Sequence, residues 1–135
     1  MQKKKIQPKH KFRLHIKKNH FGYHGYILVQ LWDRKRDMEL HTQYKAHAIT
    51  IMPLTPTGKA SQIITINFWV KRMGGEYVVQ EILHAVIEWS NRNDFKIQNK
   101  DDKFYKDEEF FCQVSAELVK QFYKKIFTLG LTLQP

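Results

Sequence analysis

The run Gly74-Gly75-Glu76-Tyr77-Val78-Val79-Gln80-Glu81-Ile82-Leu83-His84-Ala85-Val86-Ile87-Glu88-Trp89 decides how this chain is read. Paired glycines break the element before them. After them, Val78, Ile82, Ala85, Val86 and Trp89 recur at helical spacing along one side, so the spacing predicts a helix from about Glu76 to Asn91 with a single apolar face. Such a face has to be buried against another element. The candidate lies immediately upstream, where Ile63 to Val70 is a β-branched run that suits a strand.

Further toward the N-terminus, Phe12-Arg13-Leu14-His15-Ile16 alternates apolar and polar, as a half-buried strand does. Gly22 and Gly25 suggest a turn, and Tyr26 to Trp32 reads as a buried strand. Asp33 is placed to cap a short helix through about Tyr44, with Met38 and His41 on one side. Ala48 to Met52 makes another strand, and Pro53, Pro56 and Gly58 mark the loop after it. Toward the C-terminus, residues 91–106 read as a polar connector. Asp107 is a good N-cap for a last helix to about Thr128, with Phe111, Val114, Leu118, Phe122 and Ile126 as its core stripe and Gly130 as its stop. The order is β-β-α-β-β-α-α. It predicts an α+β domain with a small mixed β-sheet packed against helices.

At 135 residues the chain is one domain's worth, with residues 1–10 as a flexible basic arm and 11–135 as the domain. A content of 42% hydrophobic and 27% charged residues excludes disordered and collagen-like classes. The longest apolar runs, such as Tyr26 to Trp32, are too short to span a bilayer. No apolar stretch of signal-peptide length follows the basic start. Cys112 is the single cysteine, so no internal disulfide can form; it is expected to be a small buried residue in a reducing, cytoplasmic setting. The net charge of +10 is unevenly spread, because residues 1–32 carry eight of the 23 Lys and Arg and none of the 13 acids.

Within the helical run, Gln80-Glu81-Ile82-Leu83-His84-Ala85 is one residue away from HExxH followed by Ala. In a working HExxH site the two His, one turn apart, grip a zinc ion from one helical face, and the Glu takes a proton from the metal-bound water. A third protein ligand comes from elsewhere and leaves one position open.

The segment resembles small zincin-like metallopeptidase domains, often encoded by bacteriophages and other mobile elements. The resemblance rests on the strand Ile66–Val70, the glycine turn, the helix carrying QEILHA and the later helix DEEFFCQVSAELV, residues 107–119. It implies a zincin-like fold, Glu81 at the general-base position, His84 as second ligand, and Glu108 or Glu109 as third, with Glu109 preferred. Gln80 stands where the first imidazole should be, and a carboxamide oxygen is a weak, neutral zinc donor. The expected site is therefore vestigial and without cofactor. Zinc binding returns only if the site is repaired, for instance through His84, Glu88 and Glu109. Plain helix chemistry also explains part of the pattern, since Asp107, Glu108 and Glu109 suit the positive end of a helix dipole.

The basic segment supports a different reading. Lys3, Lys4, Lys5, Lys9, Lys11, Arg13, Lys17 and Lys18 could neutralise phosphates or an acidic partner, and Phe12, Phe21, Tyr23 and Tyr26 could stack on bases. A solubilising tail is the simpler alternative. His10, His15, His20 and His24 define no metal constellation, and His41 and His47 flank the third strand. Three functions follow. The first is a non-catalytic, zincin-like protein that binds a macromolecular partner, in the host-cell cytoplasm if phage-encoded. The second is an active zinc-dependent peptidase, and the third a nucleic-acid-binding protein using its N-terminal segment.

Overall fold

The computed structural model describes residues 6–16, 25–51, 63–92 and 102–133, with the backbone alone at 92 and 102–107. Alternation in the first segment produces strand β1 (His10–Ile16), in which Phe12, Leu14 and Ile16 are buried and Lys11, Arg13 and His15 are exposed. It pairs antiparallel with β2 (Gly25–Trp32), Phe12 opposite Val29 and Leu14 opposite Ile27. Order reaches back into the stretch expected as an arm: the Lys9 N–H donates to the Leu31 carbonyl at 2.8 Å.

Helix α1 (Lys35–Thr42) follows, one residue later than the sequence suggests. Asp33 does not cap it, because Arg34 holds the cap position without a side-chain bond. The Asp33 carboxylate instead lies 3.5 Å from Lys9 Nζ. Gln43, left-handed at φ 65°, ends the helix and returns its N–H to the Glu39 carbonyl. Strands β3 (Ala48–Ile51) and β4 (Thr65–Trp69) complete a four-stranded sheet of order β1-β2-β4-β3. β2 and β4 are parallel and the outer pairs antiparallel, so the sheet is mixed.

A 3₁₀ turn (Val70–Arg72) and the glycine pair lead into α2 (Gly75–Arg92). A Cβ at Gly75 would come to 3.3 Å from the Tyr123 hydroxyl, so the turn sits tightly under the last helix. That helix, α3 (Asp102–Thr128), starts well before the expected Asp107. No Gly or Pro interrupts the sequence from Asp102 to Thr128, and Asp102 already supplies an acid for the helix start. Asp107, Glu108 and Glu109 therefore lie past the first turn, where the dipole argument does not reach. At the other end Gly130, at φ 70°, closes a Schellman motif, with Gly130 N–H donating to Phe127 and Leu131 N–H to Ile126.

The core lies between one sheet face and helices α2 and α3. Phe12, Leu14, Ile27, Val29, Leu31, Ile66 and Phe68 meet Val78, Ile82, Ala85, Val86 and Trp89 of α2 and Val114, Leu118, Phe122 and Ile126 of α3. Phe110, not Phe111, is the buried aromatic at the start of that stripe, because its ring meets Trp89 at 6.0 Å. Cys112 falls on the opposite side of α3 and is exposed, not buried as expected. The other sheet face carries α1, whose Met38 is buried and whose His41 ring lies 5.1 Å from Trp32. No helix among the described residues is long and apolar enough to cross a membrane.

Candidate functional site

β3 is a sheet edge, and α2 passes beside it. The two enclose a groove of about 460 Å³ lined by Ala46, Ala48, Ile49, Thr50 and Ile51 from the strand side and Glu81, His84, Ile87 and Glu88 from the helix. Residues 81, 84 and 88 are successive neighbours along one helical face. The apolar phase of α2 aims Ile82, Ala85 and Val86 at the core and so turns this polar row toward the edge strand. The structure thus places three of the residues read from the sequence, Glu81, His84 and Glu88, in one cleft.

Glu81 is buried at 8% exposure, a costly position for a carboxylate unless hydrogen bonds offset it. Thr50 supplies the bond: its hydroxyl faces Glu81 Oε1 at 2.9 Å and the Glu81 backbone carbonyl at 3.0 Å. One proton is shared between two acceptors, which ties the edge strand to the helix. Sequence reasoning missed Thr50. A threonine in a short strand carries no motif, and only the pairing of β3 beside α2 gives it a role.

The remaining site residues are placed differently. Gln80 is exposed and does not line the groove. Glu109 is exposed on α3, accepts a hydrogen bond from Gln113 Nε2 at 3.2 Å, and also lies off the groove. Glu108 is exposed beside it. Among the described residues no three His, Cys, Asp or Glu side chains stand together in a way that could hold a metal ion. A zinc site needs at least three protein donors in tetrahedral array. At the groove stand one imidazole, His84, and two carboxylates, Glu81 and Glu88, while Gln80 and Glu109 lie off it.

The basic segment divides. Lys3, Lys4, Lys5, Lys17 and Lys18, with Phe21 and Tyr23, lie outside the described residues. Lys9 is engaged with Asp33, while Lys11 and Arg13 are exposed on β1, Arg13 with its guanidinium 4.4 Å from the Tyr26 ring centre. Phe12 is a core residue and offers no stacking surface. Its place in the alternation assigns it to the buried face. Burial, and then the charge of Lys11, hold the His41 imidazole below the ordinary histidine range.

No protein-family model, curated protein or solved structure matches the chain.

Proposed function

We propose that this chain is a zincin-like domain that has given up hydrolysis and works by binding an extended segment of a protein partner in the β3–α2 groove. The observation that carries the reading is the position of Glu81 and His84. Both line a cleft against an edge strand, at the spacing of a hydrolase helix, while the residue one turn before His84 is Gln80. An edge strand offers a row of backbone donors and acceptors for strand addition. Ile49, Ile51 and Ile87 supply apolar contact along the same cleft. Glu81, held by Thr50, serves in this reading as part of the wall and not as a base. The setting it implies is a reducing cytoplasm, that of the host if the gene is phage-borne, where Cys112 persists as a thiol.

A test incubates the full chain with unfolded casein peptides and zinc, reading cleavage by mass spectrometry and binding by retention. The expected result is retained peptides, no cleavage, and loss of retention in Ile49→Arg with Ile87→Arg. Zinc-dependent cleavage that Glu81→Gln abolishes would instead establish the active-peptidase reading.

A further inference from the structure

Two strand ends of this sheet echo one another. β2 closes on Gln30-Leu31-Trp32 and runs into Asp33-Arg34-Lys35-Arg36, while β4 closes on Asn67-Phe68-Trp69 and runs into Val70-Lys71-Arg72. The strands are adjacent and parallel, with Gln30 beside Asn67, Leu31 beside Phe68 and Trp32 beside Trp69. Both basic runs therefore leave the sheet at the same end. From there the chain diverges, to α1 on one face and α2 on the other. The carboxyl ends of parallel strands whose connections part in this way form the crevice where open sheets bind ligands.

Flat rings gather at this end. The Trp69 indole donates its N–H to the Asp33 carbonyl at 3.1 Å, which fixes the ring between the two loops. His47 stacks on it, centroids 5.8 Å apart and planes 22° from parallel, and Tyr77 of α2 meets His47 edge-on at 6.1 Å. All three are only partly buried. Lys35 Nζ lies 6.0 Å from the Trp69 ring centre, and Arg34, Arg36, Lys71 and Arg72 are exposed. The same elements also carry acids, Asp37 on α1 and Glu76 at the start of α2 among them. Asp33 is engaged with Lys9, and Glu39 is 4.0 Å from Lys35, at the limit of an ion pair.

The geometry points to this end of the sheet as a binding surface for single-stranded nucleic acid, with bases stacked on the Trp69–His47–Tyr77 cluster and phosphates held by Arg34, Lys35, Lys71 and Arg72. Aromatic faces bordered by cations are what an unpaired strand uses, since every base has a face to stack and every linkage a charge to neutralise. An acidic polypeptide would engage the cations and leave the rings idle. Burial, then Lys35 and Arg72, hold the His47 imidazole below the ordinary histidine range against a smaller pull from Glu39, so at neutral pH it is a flat, uncharged ring. None of these residues lines the β3–α2 groove, and the inference does not rest on the reading of that groove.

Trp32 and Trp89 are buried at 1% and 6% exposure, so Trp69 is the tryptophan whose emission should report a ligand at this surface. The experiment titrates the full chain with a short oligothymidylate and follows that emission over a range of salt. Quenching is expected, with Lys71→Glu/Arg72→Glu weakening binding roughly tenfold and reducing the log–log salt slope by about 1.4, or about 0.7 for each phosphate left without its cation. Trp69→Phe should keep binding, and Trp69→Ala should lose roughly tenfold, both read by the anisotropy of a dye-labelled oligothymidylate because these variants lack the reporting ring. Should Trp69→Ala fail to fold, the exposed Lys71/Arg72 pair still decides. With the phosphates assigned to Arg34, Lys35, Lys71 and Arg72, Lys3→Glu/Lys4→Glu/Lys5→Glu should weaken binding less than Lys71→Glu/Arg72→Glu does. Unchanged binding in Lys71→Glu/Arg72→Glu would overturn the inference. So would binding lost only in the 3–5 variant, or polyglutamate competing as well as the oligonucleotide, which would assign the surface to an acidic protein.

Discussion

Thr50 and Glu81 form the contact that most directly shapes the groove. Replacing the hydroxyl by a methyl in Thr50→Val leaves a buried carboxylate without its donor, which should cost about 1–3 kcal/mol. Thr50→Ser should keep most of that stability; urea unfolding of the two variants checks the pair, and equal losses would mean the bond contributes nothing. His41 gives a pH signature. Its imidazole is held below the ordinary histidine value of about 6.5 by burial and then by Lys11, so the unfolded chain binds the proton more readily than the fold does. Stability from this source is present above about pH 6.5 and is lost as pH falls through the lower folded value. Urea midpoints at pH 7.5 and pH 5.5 should show that loss in the natural protein and a smaller one in His41→Gln. At this scale the sequence showed what spacing can show. Glu81 and His84 were legible because one helix carries both, but Thr50 was not, since its partner lies 31 positions away.

Among the elements, the two sheet edges are treated differently. On the β1 edge, Gln121 of α3 accepts the His15 N–H at 2.8 Å and donates to the His15 carbonyl at 2.9 Å, covering backbone groups that would otherwise invite pairing. The Gln121→Ala change should cost about 0.5–1.5 kcal/mol and speed amide exchange at His15. Unaltered exchange there would show that the clasp does not protect the strand. On the β3 edge the neighbour is the Glu81–Thr50 contact, and the groove remains open beside it. The element order could be read from periodicity, because alternation marks β1 and the apolar face of α2 has a clean helical phase. Helix starts were harder. Asp102 and Asp107 are both credible openings in DDKFYKDEEF, and a local signal cannot say which one tertiary packing selects. Asp33 looked like a cap because it precedes a helix, but Lys9, just before β1, claims its carboxylate, a competitor invisible in local sequence. Phe110 and Phe111 could not be told apart by phase, and the Trp89 ring decides between them.

For the molecule as a whole, two surfaces stand out, and they adjoin, since His47 lies between Ala46 and Ala48 of the cleft. One is the β3–α2 cleft, weakly polar and fenced by isoleucines; the other is the basic, aromatic end where β2 and β4 stop. The basicity that the sequence assigned to residues 1–32 is supplemented by Arg34, Lys35, Arg36, Lys71 and Arg72. These residues lie apart in the chain, and the parallel pairing of β2 with β4 brings them to one end. The proposal for the cleft assigns the difference between this scaffold and a metal-holding one to one side chain, the carboxamide at position 80. Metal analysis of the full chain after dialysis against trace zinc, beside Gln80→His and Gln80→His/His84→Ala, tests it most directly. The predicted result is no bound zinc in the natural protein, about one per chain in Gln80→His, where residues 80, 84 and 88 follow one another along one helical face, and loss again in the double variant. Stoichiometric zinc in the natural protein, or none in Gln80→His, would contradict it.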